Sequence, residues 1–127
     1  MPYVKSFRSL EVYQLSKTLS KEIFELTKKF PRDEAFSLVS QIRRSSRSVG
    51  AQLAEAWAKR KYEKHFVSKL TDADGEQLET QHWIDVALDC GYIANEVAAG
   101  MLDQYAAVGR MLHAMIVKAP TFCRANT

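Results

Sequence analysis

The chain has 127 residues, 46% of them hydrophobic and 26% charged, with a formal net charge of +3, three prolines, five glycines and two cysteines. That length supports one domain, residues 1–127, with a core that needs no disulfide or metal, and mixed charges on so apolar a background exclude a disordered polyelectrolyte. Cys90 and Cys123 sit in unrelated contexts, which excludes a disulfide framework and fits a reducing, cytoplasmic location, while no apolar run is long enough for a signal peptide or a membrane span.

Apolar spacing predicts four helices and no strand. The first covers about residues 9–29, with Val12, Leu15, Leu19, Ile23, Leu26 and Phe30 as its inward stripe and Lys17, Lys21, Glu22, Glu25 and Lys28 toward water. Ser9 suits the N-cap and Pro31 ends the helix, because the residue before proline is pushed out of helical geometry. Tyr13 and Phe24 lie off the stripe, about 20° apart around the axis. A second apolar patch on one helix points to cover by another subunit.

The second helix is expected over residues 33–59, with Asp33 as cap and Glu34 favoured in the first turn by the helix dipole. Val39, Ile42, Ser46, Val49, Leu53 and Ala56 follow a three–four spacing, the seam of a helix that packs lengthwise on others. Gly50 costs such a helix about 1 kcal/mol against alanine, and close approach of a neighbouring backbone is a reason to retain it. A basic turn, Lys59-Arg60-Lys61, leads into a third helix over residues 62–90 with Phe66, Leu70, Ala73, Ile84 and Leu88 inward and Gln77 and Gln81 mid-stripe. Gly91 suits its C-terminal cap. The fourth helix, residues 93–118, turns Val97, Met101, Val108, Met111, Leu112 and Met115 inward, and Pro120 closes it before a frayed tail. Long helices with short connections predict an all-α, antiparallel up-down-up-down four-helix bundle.

The chemistry-bearing residues are mostly basic. Residues 1–69 carry 15 Lys and Arg against 7 Asp and Glu, a net +8; residues 70–127 carry 3 against 8, a net −5. Such asymmetry signals either an anionic partner for the first half or attraction between the halves within the fold. With Val39 as origin, Arg43, Arg47 and Arg44 fall at about 40°, 80° and 140° around the second helix. Lys59, Arg60, Lys61 and Lys64 extend this basic surface, and between residues 43 and 69 eight basic residues meet only Glu55 and Glu63. Such a strip suits phosphate contacts of low sequence preference. The alternative is a solvated face, or arginines paired with acids of another helix or subunit, such as Asp72, Asp74 or Glu76. No aromatic platform is expected among the basic residues, so base stacking is not indicated.

Glu79-x-x-His82 has the spacing of a bundle di-metal motif, but a full site needs a second such pair and two further glutamates. An ordinary surface histidine is the simpler reading, and no metal or other cofactor is expected. Ser45, Ser46 and Ser48 read as small packing residues, and Met101, Met111 and Met115 as core filling. Trp57 and Trp83, with Tyr13 and Phe24, are candidate oligomer anchors.

Several segments, taken together, resemble a known family. They are FRSLEVYQLS at 7–16, FPRDEAFSLVSQIRRSSRSV at 30–49, LAEA at 53–56, HF at 65–66, ADGEQLE at 73–79 and ALDCGYI at 87–93. The chain resembles the small bacterial four-helix-bundle proteins associated with intervening sequences of 23S rRNA genes, the S23 ribosomal protein family. The accessory protein of diversity-generating retroelements looks like a relative. The resemblance implies a bundle that assembles as a ring, a homopentamer, a role in binding RNA or DNA, and no enzymatic activity. Departures from the family's pattern are Gln52-Leu53-Ala54-Glu55-Ala56, Gly75-Glu76, and Tyr62 where a serine usually caps the third helix. The expected function is therefore a non-enzymatic, oligomeric, nucleic-acid-binding bundle, with a protein-interaction scaffold as the alternative.

Overall fold

Five α-helices carry the architecture of the computed structural model, which describes residues 4–124. They are α1 (Glu11–Thr27), α2 (Leu38–Ala58), α3 (Glu63–Asp89), α4 (Asn95–Val117) and a short α5 (Ala119–Arg124), with 3-10 turns at Phe7–Ser9 and Arg32–Glu34. No strand occurs among the described residues.

The helix ends have identifiable local causes. Ser6, not Ser9, supplies the N-terminal hydroxyl: its Oγ accepts from Arg8 N–H at 3.1 Å and holds the first 3-10 turn, after which Leu10 is the extended N-cap of α1. The first helix ends at Thr27 with Lys28 as C-cap, short of Pro31; Asp33 and Glu34 then form a 3-10 turn and α2 starts only at Leu38. Ser37 occupies the N-cap position without capping, because its hydroxyl donates to Glu34 Oε1 at 2.7 Å. That carboxylate also accepts from Tyr92 Oη at 2.8 Å, tying the α1–α2 connection to the α3–α4 turn. Gly91 closes α3 at φ +76°, with its N–H bonded to the Leu88 carbonyl and that of Tyr92 to the Ala87 carbonyl. This left-handed cap satisfies carbonyls that the helix end leaves open.

The tail departs from expectation. Pro120 lies in the first turn of α5, where its missing N–H leaves no helical bond unmade. Phe122 packs against Phe66 and Trp57, with ring centroids 5.9 and 6.4 Å apart, and Ala119 is fully buried. Residues 119–124 are therefore a docked helix rather than a frayed end; the last three residues lie outside the described part.

Consecutive long helices run against one another. Thr27 meets Arg43 and Tyr13 meets Gly50 across α1 and α2. Arg44 meets Glu79, Ser48 meets Glu76 and Gln52 meets Lys69 across α2 and α3. Gln77 meets Gly109 across α3 and α4, and α1 also touches α4. The predicted seam of α2 is buried from Val39 to Ala56, and its Ile42, Val49, Leu53 and Ala56 join Leu19, Ile23, Phe66, Leu70, Ile84, Val108 and Leu112 in one core. A Cβ on Gly50 would stand 3.3 Å from Tyr13 Cε1, so this glycine makes room for the Tyr13 ring rather than for a neighbouring backbone.

The stripes of the other helices shift by a position in places. Leu15, Leu26, Leu88 and Met111 are only half-buried and Val97 is 40% exposed, whereas Ser16, Thr27, Gln77, Thr80 and Tyr105 are buried. The serine and threonine hydroxyls can enter the core because they find partners there, unlike that of Tyr105: Ser16 bonds the Tyr13 carbonyl at 2.9 Å and Thr27 the Ile23 carbonyl at 2.8 Å. Thr80 Oγ1 lies 2.8 Å from Ser45 Oγ. A buried hydroxyl is tolerated when hydrogen-bonded.

Candidate nucleic-acid interface

The three arginines of α2 do not form one strip. Arg43 and Arg44 are about 100° apart around the helix, enough to send them to different neighbours. Arg43 turns to α1, where Nε donates to Thr27 Oγ1 at 2.8 Å and an Nη donates to the Phe24 carbonyl at 3.4 Å. A cation at the last carbonyls of α1 is favoured by the helix dipole. Arg44 turns to α3 and pairs with Glu79 at 2.7 Å and Glu76 at 3.3 Å. The hydrogen bonds to Glu76 and then Glu79 raise the Arg44 pKa above its already high range. Glu79 is held below the usual carboxylate range by the Trp83 indole N–H at 3.0 Å and by Arg44. Glu76 also accepts from Ser48 Oγ at 2.9 Å. The acidic residue at 76, one of the chain's departures from the resembled pattern, is thus an anchor for α2.

Arg47 lies between these directions and is exposed. Its guanidinium carbon is 5.5 Å from the Phe24 ring, which also carries Arg43 at 4.6 Å and Lys28 Nζ at 4.7 Å. Cation–π attraction accounts for the gathering. A shallow depression beside it is lined by Lys17, Thr18, Ser20, Lys21, Phe24 and Arg47. Lys17 and Lys21 belong to this basic face, although the sequence reading assigned them only to solvent. The signal that could have found them is the antiparallel pairing of α1 with α2, which places residues 17–24 beside residue 47.

The second basic cluster is the α2–α3 turn. Lys59, Lys61 and Lys64 are exposed. Arg60 folds back, with Nε donating to the Trp57 carbonyl at 2.9 Å and its guanidinium 3.7 Å from the Trp57 ring. Tyr62 is 57% exposed within this cluster. It is one exposed ring beside the basic residues, where the sequence reading expects no aromatic platform. Among the described residues none of Lys17, Lys21, Arg47, Lys59, Lys61 or Lys64 forms an ion pair.

The four candidate oligomer anchors all have contacts within the chain. Tyr13 meets Phe7 edge-on at 4.9 Å and Gly50, Phe24 lies beneath cations, Trp57 lies between Arg60 and Phe122, and Trp83 bonds Glu79. Glu79 is committed to Arg44 and Trp83, and His82 is exposed with its ring 4.7 Å from that of Trp83. Among the described residues no group of three or more His, Cys, Asp or Glu gathers in metal-binding geometry. No helix among them is long and apolar enough to cross a membrane.

Comparison with known proteins gives a consistent picture. The model of the 23S rRNA-intervening sequence protein family matches residues 8–114. The chain is also similar to a protein of unknown function from the S23 ribosomal protein family of Bacteroides thetaiotaomicron, whose crystal structure matches with a TM-score of 0.74. The two are 26% identical, over 83% of this chain and 94% of that one. No curated protein sequence matches significantly.

Proposed function

Because the chain belongs to the 23S rRNA-intervening sequence protein family, we propose that it is a non-enzymatic helical bundle that binds RNA or DNA through phosphate contacts. The observation that carries this reading is two clusters of exposed cations without carboxylate partners among the described residues: Lys17, Lys21 and Arg47 on the α1–α2 face, and Lys59, Lys61 and Lys64 at the α2–α3 turn. Ammonium and guanidinium groups not already paired are the ones that can displace counterions from phosphates. Arg43 and Arg44 support the site from beneath by fixing α2 to α1 and α3. The test is binding of single-stranded RNA, structured RNA and duplex DNA at low salt. Affinity should fall steeply with salt, and Lys21→Ala with Arg47→Ala should lower it across unrelated sequences. Failure of all three nucleic acids to bind would refute the reading.

Self-association belongs to the same proposal, as a ring of the kind the resemblance implies. It is supported by α4, which exposes Val97, Ala99, Gly100, Ala114 and Val117, apolar surface interspersed with the charged Glu96, Asp103 and Arg110.

One observation favours the scaffold as a second reading. Asp72, Asp85, Asp89, Glu96 and Asp103 are exposed on α3 and α4, opposite in charge to the α1–α2 face. Copies could then pair basic face to acidic face. Light scattering across a salt series separates the readings: the scaffold alone predicts assembly that dissolves with salt and no nucleic-acid affinity.

A further inference from the structure

We infer that the turn between α2 and α3 grips unpaired nucleotides, with Tyr62 as the surface on which a base stacks. This rests on the nucleic-acid reading above and narrows the partner to single-stranded RNA or DNA. The Tyr62 backbone is extended, at φ −124° and ψ 101°, and its N–H bonds the Lys59 carbonyl at 2.9 Å. That closed turn holds the base of the side chain beside Lys59, while the residue remains 57% exposed. His65 braces the ring with centroids 5.7 Å apart and planes at 71°, a T-shaped contact rather than a parallel stack. Glu63 is the sole acid between residues 59 and 65.

The aromatic rings beside the other basic residues of the candidate interface are engaged. Phe24 is covered by Arg43, Arg47 and Lys28, and Trp57 by Arg60 and Phe122. Tyr62 alone combines a largely open ring with flanking, unpaired lysines among the described residues. An aromatic face can accept any base, but only one that is not already stacked within a duplex. Lysines 59, 61 and 64 would hold the flanking phosphates. Stacking on a ring face and phosphate contacts by lysines are both indifferent to base identity, so the grip is tolerant of sequence.

The experiment compares fluorescence anisotropy of labelled oligouridine, oligothymidine and a duplex of the same length, at one salt concentration. Tyr62→Ala should lower affinity for both single strands about five-fold or more and leave the duplex unchanged. Tyr62→Phe and Tyr62→Trp should restore single-strand binding, whereas Lys61→Ala should weaken strands and duplex alike. A loss confined to oligouridine would restrict the grip to RNA while keeping the stacking. If Tyr62→Ala leaves single-strand binding intact, or lowers duplex binding equally, the stacking role is overturned while the phosphate reading stands. If the wild-type protein binds neither strands nor duplex, both fall. Thermal melting of each variant checks the fold, and because Tyr62 is exposed no large change is expected.

Discussion

Replacing each arginine of α2 by alanine should divide them into two classes. Arg44→Ala removes a 2.7 Å and a 3.3 Å ion pair, but Arg44 is 51% exposed and its partners Glu76 and Glu79 are 18% and 35% exposed. An exposed pair contributes up to about 1 kcal/mol and a hydrogen bond to a well-buried charge about 1.5–3. With solvent screening on the arginine side, the loss should be about 1 kcal/mol. It should not be larger, because Glu76 keeps Ser48 and Glu79 keeps Trp83. Arg43→Ala removes two hydrogen bonds and the contact with Phe24, and should cost about 1–2 kcal/mol. Arg47→Ala loses only a 5.5 Å ring contact on an exposed face, and should stay within about 0.5 kcal/mol of wild type.

Nucleic-acid binding should order the variants the other way. Arg47→Ala should reduce the slope of log affinity against log salt by about 0.7–0.9, the loss of one phosphate contact. Arg44→Ala should leave the slope unchanged. Urea denaturation and salt-dependent anisotropy on the same preparations measure both quantities. A pH series adds a check through Glu79. Its folded pKa lies below 4.5, so its contribution is present above that value and lost as pH falls through the folded pKa. The stability gap between wild type and Arg44→Ala should therefore narrow in acid. The reasoning fails if Arg44→Ala weakens binding as much as Arg47→Ala while leaving stability untouched.

The remaining predictions concern the frame. Tyr105 is fully buried and its hydroxyl finds no partner among the described residues; since an unpaired buried hydroxyl costs about 1–3 kcal/mol, Tyr105→Phe should be neutral or stabilising by up to about 1 kcal/mol in chemical denaturation. A clear destabilisation would mean that the hydroxyl is bonded. Gly75 has nothing within 4 Å of its missing Cβ, so Gly75→Ala should raise stability by about 1 kcal/mol. Gly109→Ala would bring its Cβ to 2.9 Å from Gln77 Nε2, itself bonded to Asp74, and should lower the melting temperature instead. The hydrogen bond to Glu34 pushes the Tyr92 pKa up to about 12, above its ordinary 10.0. That stabilisation is complete below 10.0 and is lost as pH rises toward about 12, so Tyr92→Phe should reduce the alkaline loss in a pH series of thermal melts.

How much of this was legible from sequence depended on whether the determining contacts were local. The seam of α2 was legible because periodicity is a property of one helix, and every seam residue from Val39 to Ala56 is buried. The Gly91 cap was legible because few other residues accept φ +76°. The start of α2 was not, since Ser37 is diverted by Glu34 and Glu34 is in turn held by Tyr92, 58 residues away. α5 was read as a tail because the Phe66 and Trp57 rings that dock Phe122 are far away in sequence. The candidate site suffered most. Helical angles placed Arg43, Arg44 and Arg47 on one side of α2, but whether each is free depends on Thr27, Phe24, Glu76 and Glu79 on the flanking helices. Lys17 and Lys21 reach the site only because α1 packs against α2.

The charge split between the halves of the chain makes the same point on a larger scale. Internal attraction was one explanation for +8 facing −5. Among the described residues, however, only Arg44 forms ion pairs across the division at residue 69; the pairs of Lys28 with Glu25 and of Lys69 with Glu55 lie within the first half. Most of the asymmetry is therefore carried to the surface, as a basic α1–α2 face and turn opposite the exposed acids of α3 and α4. Fields of opposite sign on two faces of a small bundle attract polyanions to one face and repel them from the other. Nucleic acid and a second copy of the chain would then compete for the basic face. Added single-stranded RNA should loosen any contact made through that face while leaving one made through the exposed apolar residues of α4 intact, and light scattering with and without RNA distinguishes the two.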